Sequence, residues 1–329
     1  MKLAIIGCTG LVGTVILKVI SECKLPISEL ILVASSKSIG KEIKFESNSL
    51  EIESIEMALS KNPQIAIFCA GGEISKKWAP IFSKNGITVI DNSSAWRMDH
   101  QVPLVVPEIN GSSIKKSNKI IANPNCSTVQ MVLVLKEIHK RFIIDRIVVS
   151  TYQSVTGTGA AAVKQMMDER NEIESDKVYP HPIDKNCFPH GGDFLPNGYT
   201  TEEIKLVDET RKIFNSSEIK VTATVVRIPV IGGHSMAVNV NTKTPFKIEE
   251  IYNAFEATPG VIIKNDNLNF DYPMPLTAHE RNEVFVGRIR EDNTIENGLN
   301  MWIVADNLRK GAATNAVQVA EYLINNKLV

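Results

Sequence analysis

The sequence predicts a two-domain α/β protein: an N-terminal doubly wound parallel sheet and an α+β domain built on a mixed, mostly antiparallel sheet. Three observations predict it. Short, wholly apolar runs alternate with helical stretches over the first 126 residues, the pattern of a parallel sheet covered on both faces. The opening run enters a glycine loop, Gly7-Cys8-Thr9-Gly10-Leu11-Val12-Gly13, at the mouth of a helix, as Rossmann-like nucleotide folds do. Beyond Asp145 the strands lengthen and alternate between apolar and polar residues. A length of 329 residues suits two domains, each with its own core. The expected division is 1–126 with 310–329 for the nucleotide domain and 127–309 for the other.

Taken in order, Lys2 to Gly7 reads as a buried strand and Leu11 to Cys23 as an amphipathic helix. The glycines between them allow a tight turn and a close approach to a pyrophosphate, which the helix N-terminus attracts. An ordinary βα turn has the same composition. A second strand, Glu29 to Ala34, ends in Ser35-Ser36-Lys37-Ser38 with no Asp or Glu for a ribose 2′-hydroxyl. Hydroxyls and a cation suit a 2′-phosphate, hence NADP held by Ser35, Lys37 and Ser38; a solvated polar turn accounts for the same residues. Strands follow at Gln64 to Ala70, Gly86 to Ile90 and Lys119 to Ala122, with a helix from Ser75 to Lys84. Arg97 falls beyond a strand end, where such sheets collect ligands, and its fixed charge can grip a carboxylate or phosphate.

At Asn123-Pro124-Asn125-Cys126-Ser127-Thr128 an apolar run stops at a proline turn and a helical pattern begins. Cys126 then lies in a first helical turn, where unpaired N–H groups and the macrodipole favour a thiolate and can receive an oxyanion. A buried structural cysteine is the alternative. The second domain reads as a strand from Arg146 to Val155, a helix from Ala160 to Ile173, and strands at Lys220 to Val230, His234 to Thr242, Glu283 to Arg290 and Leu299 to Asp306. A broad sheet of this kind offers a partner surface, so a homodimer, or a tetramer built from it, is expected. The proline- and glycine-rich stretch from Tyr179 to Tyr199 holds His181, Cys187 and His190 at no zinc spacing, and no metal is expected. Glu202 and Lys205 meet if helical. His234 follows Gly232-Gly233 and is a candidate acid–base group. A last amphipathic helix, Gly311 to Lys327, would complete the first domain with Asn315 toward the cofactor.

Charge narrows the partners. With 36 basic and 37 acidic residues the net charge is −1, which gives no footprint for nucleic acid and points to a small molecule. Five cysteines without a C-x-x-C pair suit reduced thiols and a cytoplasmic location. The first residues read as a strand rather than a signal peptide, and no apolar run approaches the ~18 residues of a membrane span.

These motifs together resemble the aspartate-β-semialdehyde dehydrogenase family: the Gly7 to Gly13 loop, Asp91-Asn92-Ser93-Ser94, Asn123 to Thr128, Gln153, Glu202-x-x-Lys205, Arg227 through His234, and Gly311 to Ala316, in the family's order. The resemblance implies NADPH-dependent reduction of L-4-aspartyl phosphate to L-aspartate 4-semialdehyde in aspartate-family amino-acid biosynthesis. It implies Cys126 as nucleophile, His234 as acid–base catalyst and Gln153 orienting the substrate. Arg227 would hold the α-carboxylate and Glu202 the α-amine, with Arg97, Asn125 and Lys205 on phosphate. Cofactor contacts carried over with it are the loop residues Gly7, Thr9, Gly10, Leu11, Val12 and Gly13, then Ser35, Lys37, Ser38, Gly71, Asn92, Gly157 and Asn315. The chain departs from the family at Glu73, in place of a small hydroxyl residue, and at Cys8, in place of alanine. An N-acetyl-γ-glutamyl-phosphate reductase shares the thioester logic, and a non-catalytic NADP-binding sensor would keep the crevice alone.

Overall fold

A computed structural model describes residues 1–174 and 176–329. The chain forms two compact units, residues 1–125 with 312–329 and residues 126–311. In the first, β1 (Lys2–Ile6), α1 (Leu11–Cys23), β2 (Glu29–Val33), β3 (Glu42–Phe45), β4 (Asn48–Glu53), α2 (Ile55–Ser60), β5 (Ile65–Phe68), α3 (Gly72–Lys84), β6 (Thr88–Asp91), α4 (Pro107–Asn110) and β7 (Ile120–Ala122) follow in order. The sheet runs β3-β4-β2-β1-β5-β6-β7 and is parallel except for the β3–β4 hairpin. That hairpin was not among the expected strands, although Glu42-Ile43-Lys44-Phe45 and Ser49-Leu50-Glu51-Ile52-Glu53 alternate between polar and apolar residues and Ile43, Phe45, Leu50 and Ile52 pack with the first core. β1 explains the wholly apolar strands. Its side chains alternate between two covered faces, Leu3 and Ile5 joining one core while Ala4 and Ile6 join the other with Ala79 and Phe82 of α3.

The second unit contains α5 (Cys126–Phe142), β8 (Ile144–Gln153), α6 (Ala160–Arg170), α7 (Thr201–Phe214), β9 (Lys220–Arg227), β10 (His234–Thr242), α8 (Ile248–Glu256), β11 (Val261–Ile263), α9 (Pro275–Ala278), β12 (Val284–Asp292) and β13 (Gly298–Ala305). Its sheet runs β11-β12-β13-β10-β8-β9, with β11–β12 and β8–β9 parallel and the other pairs antiparallel, the mixed sheet predicted. One face packs on α5, α7 and α8 through Leu133, Ile147, Val238, Ile303, Leu206 and Phe255. The other face carries Val148, Ser150, Asn239, Asn300 and Trp302 around a cleft of about 320 Å³. After a π turn at Arg309–Ala313, α10 (Thr314–Asn325) lies in the first unit, where Ala316, Val319, Ala320 and Leu323 pack with Ile16 and Ile20 of α1. Among the described residues no helix is long and apolar enough to cross a membrane.

Candidate active site

Cys126 opens α5 and is half-buried. The residues around it fasten the helix mouth to the sheet. Ser127 accepts a 2.8 Å hydrogen bond from Nε2 of Gln153, the last residue of β8. One turn on from Cys126, and therefore on its side of the helix, Gln130 donates to the His234 carbonyl at 3.1 Å. Gly311 packs against the thiol residue so closely that a Cβ there would lie 2.8 Å from the Cys126 Cβ.

His234 opens β10 and is fully buried. The backbone N–H of Ser154 donates to its Nδ1 at 3.1 Å, and its Nε2 has no hydrogen-bond partner among the described residues. Arg227 ends β9 directly beside Gln153 in the parallel register and donates to the Ser154 carbonyl at 3.3 Å. A Cβ on Gly157 would lie 3.0 Å from His234 Nε2 and 3.1 Å from Arg227 Nη1, so any side chain there would press on both groups. Burial first, then the Arg227 guanidinium, push the His234 imidazole down to about 3, with Glu202 and the Gly233 backbone pulling weakly the other way.

Glu202 sits in the first turn of α7, which Thr200 and Glu203 start with a reciprocal capping box. Thr200-Thr201-Glu202-Glu203 spells that box in the sequence. Lys205 is 2.9 Å from the Glu202 carboxylate. The second unit therefore brings Cys126, Gln153, Glu202, Lys205, Arg227 and His234 into one neighbourhood. Gln153 stands differently from the expectation: its amide holds Ser127, and only its buried Oε1 is without a partner among the described residues.

In the first unit, Arg97 is nearly buried beyond β6 and donates from Nε to the Asn123 carbonyl and from Nη2 to the Asn92 carbonyl, both at 2.9 Å. Asp91 lies beneath it, its carboxyl pushed up by burial against the hydroxyls of Ser93 and Ser75 and the Arg97 charge. The Asn123 side chain donates to Asn92 Oδ1 at 2.9 Å and accepts from Asn315 Nδ2 at 2.7 Å, so a chain of amides braces the turn that ends at Asn125. Asn315 was expected at the cofactor. It is fully buried, and its Nδ2 also donates to the Val105 carbonyl, so it helps to hold the turn. Gly157, also expected at the cofactor, lies against His234 and Arg227 in the second unit.

The remaining nucleotide residues lie at the carboxyl ends of β1 and β2, with Gly71 beyond β5 and Asn92 beyond β6. Gly7, Thr9, Gly10 and Ser35 line a cleft of about 380 Å³ together with Ile74 and Trp78, which no sequence motif marked. α1 begins at Leu11 and Val12 without a side-chain cap, which leaves its first N–H groups for an anion. Gly7 has φ +101°, and a Cβ on Gly13 would lie 2.2 Å from the Gly7 carbonyl oxygen, so the loop accepts no larger residue at either point. Ser35 and Lys37 are exposed beside the 3₁₀ turn Ser36–Ser38, and Gly71, with φ +91°, heads α3 uncapped. The cradle fits a dinucleotide. Glu73 turns outward to pair with Lys76, and Cys8 is buried in the core. His190 stacks on Phe194, and among the described residues no group of three or more His, Cys, Asp and Glu could hold a metal ion.

Sequence reasoning missed Ser127, Gln130 and Ser154. Gln130 was legible as the one polar residue in the run from Val129 to Leu135, four positions from Cys126; Ser154 acts through its backbone and left no signal.

Residues 2–117 match the semialdehyde dehydrogenase NAD binding domain, and residues 135–310 match the semialdehyde dehydrogenase dimerisation domain. An aspartate-semialdehyde dehydrogenase of Aquifex aeolicus is 49% identical over 337 residues, covering 100% of this chain and 99% of that protein. The crystal structure of aspartate semialdehyde dehydrogenase II from Vibrio cholerae, complexed with ASA, superposes with a TM-score of 0.94 at 43% identity over 99% of this chain and 98% of that one. An aspartate semialdehyde dehydrogenase from Candida albicans with NADP shares the fold, with a TM-score of 0.76 at 23% identity over 100% and 99% of the two chains. Glycine loop, helix-borne cysteine and buried histidine thus stand on a scaffold matched from end to end, and the chain belongs to the aspartate-semialdehyde dehydrogenase family.

Proposed function

We propose that the protein reduces L-4-aspartyl phosphate to L-aspartate 4-semialdehyde with release of phosphate, in the biosynthesis of the aspartate-derived amino acids. The observation that carries this is the convergence of a thiol at a helix mouth with a carboxylate, a guanidinium and a buried imidazole in a single unit. Cys126 attacks the acyl carbon, forms a C–S bond and expels phosphate, giving a thioester. A thioester is needed because a free carboxylate accepts hydride poorly. NADPH, when bound, supplies that hydride. The tetrahedral oxyanion then collapses, breaking the C–S bond and returning the Cys126 thiolate with the aldehyde.

The other residues position this sequence. Arg227 binds the α-carboxylate with its planar fork, and Glu202 takes the α-ammonium. Lys205 and Arg97 serve as phosphate ligands, and Gln153 keeps Ser127 and the first turn of α5 in place. The free amine of aspartate is what favours Glu202 here; an N-acetylated substrate offers it no charge. Gly7, Thr9, Gly10, Gly13 and Ser35 would hold the dinucleotide, and the absence of any acid from Ala34 to Lys41 favours a 2′-phosphate beside Lys37. We also infer a homodimer formed through the uncovered sheet face, and a cytoplasmic enzyme, since its five cysteines are free thiols.

The test is phosphate-dependent oxidation of aspartate semialdehyde, followed as NADPH absorbance. Turnover with NADP that stops when phosphate is omitted supports the reading. Activity confined to N-acetylglutamate semialdehyde, or to NAD, overturns the substrate or the cofactor assignment.

A further inference from the structure

The proline- and glycine-rich stretch from Tyr179 to Tyr199 is tied to the site at two points. β9 is an edge strand of its sheet, and an edge leaves N–H and C=O groups to be filled. Phe188 fills two of them at Arg227: its N–H donates to the Arg227 carbonyl at 3.3 Å, and its carbonyl accepts from the Arg227 N–H at 2.9 Å. The Phe188 ring is nearly buried in a cluster with Met166, Tyr179 and Ile183, which fixes that end of the stretch. Three residues on, the Gly191 carbonyl accepts from the Glu202 N–H at 3.2 Å. Glu203, next along α7, returns to the strand. Its Oε1 accepts from the Val225 N–H at 2.9 Å while its Oε2 accepts from the Thr200 N–H at 2.6 Å. Phe188 to Gly191, Glu202 to Glu203 and Val225 to Arg227 therefore close a hydrogen-bonded ring, and the ring carries both Glu202 and Arg227.

We infer that Gly191 and Glu203 are positioning residues which, through this ring, fix the span between the Glu202 carboxylate and the Arg227 guanidinium and so select a substrate with a free ammonium and a carboxylate on one carbon. The inference deepens the reading given under Proposed function and rests on it for the pairing of Glu202 with the amine and Arg227 with the carboxylate. Two charges on one carbon stand a fixed distance apart, so the groups that take them have to be held at a matching distance. Glu202 lies in the first turn of a helix and Arg227 at the end of an edge strand, and the ring is what joins the two. Gly191 is its tightest point. A Cβ there would lie 2.7 Å from Val225 Cγ1 and 3.0 Å from Glu202 Cβ, so any side chain pushes on the base of Glu202 and on β9 together. Glu203 serves two N–H groups with two oxygens. An amide of the same shape has a single acceptor oxygen and leaves one of them unserved.

The test is steady-state kinetics of phosphate-dependent semialdehyde oxidation by the full-length protein, with folding checked by thermal unfolding. Gly191→Ala and Glu203→Gln are each expected to raise the KM for aspartate semialdehyde about tenfold or more, with kcat within about threefold and the KM values for NADP and phosphate unchanged, the pattern of lost substrate binding. A general structural defect lowers kcat per unit protein and leaves every KM in place. If Gly191→Ala does not fold, Glu203→Gln, which keeps the shape of the side chain, still opens the ring. A semialdehyde KM within about twofold of wild type in a folded variant, or a fall in kcat alone, overturns the inference. Wild-type protein without phosphate-dependent turnover overturns the reading beneath it and the inference with it, so the wild-type assay tells the two failures apart.

Discussion

At the scale of single residues, the site turns on one sulfur and one ring. Cys126→Ala removes the nucleophile while its neighbours Ser127 and Gln130 keep their bonds to Gln153 and the His234 carbonyl. Turnover is expected to fall by at least about 1,000-fold with cofactor binding unchanged, measured by steady-state kinetics and fluorescence titration with NADPH. His234 ties stability to acidity. In the fold its pKa lies near 3, whereas the unfolded ring takes a proton below about 6.5. The unfolded chain therefore binds the extra proton between those values, and stability is expected to drop as pH falls through that window. Urea midpoints at several pH values check this, and His234→Phe should flatten the part of the slope owed to the ring. Cys126 and His234 were legible because a thiol after a proline turn and a histidine after a glycine pair are local patterns. Ser154 was not, since a backbone N–H carries no residue signature.

Among the elements, the α1 mouth and the α5 mouth show what a helix start can hold. Gly13→Ala would put a Cβ 2.2 Å from the Gly7 carbonyl oxygen, and the loop has to move. An overpacking cost of about 1–3 kcal/mol is expected, with NADPH affinity weakened about tenfold or more, checked by thermal unfolding and by titration. In the first unit three asparagines, Asn92, Asn123 and Asn315, brace the turn that ends at Asn125. The whole second unit lies between Asn123 and Asn315 in the sequence, so their amide contact could not be read from the order of residues. Strands with uniform apolar runs were easy to place, whereas the β3–β4 hairpin, which carries a period-two alternation over only four and six residues, was passed over.

For the whole molecule, the two sheets differ in what they leave uncovered. The first sheet is buried on both faces near its centre, but the second keeps Val148, Ser150, Asn239, Asn300 and Trp302 on the face opposite α5, α7 and α8, where the short α9 packs at one end through Ala278. If that face joins two copies, Ser150→Asp places two charges in the interface and should convert a dimer to monomers, read by light scattering, with the melting temperature lowered in a concentration-dependent way. The division into two units was legible from the change in strand length after Asp145, because long alternating strands and short apolar ones answer different burial demands.

The parallel β8–β9 ladder has a bearing on how the gene can vary. Gln153 and Arg227 are partners in that ladder, and Ser154 follows at once. Adding or deleting one codon inside β8 would invert every side chain beyond it and send Gln153 to the face away from α5. In β8, then, only replacements that conserve its count keep the site's residues on their faces.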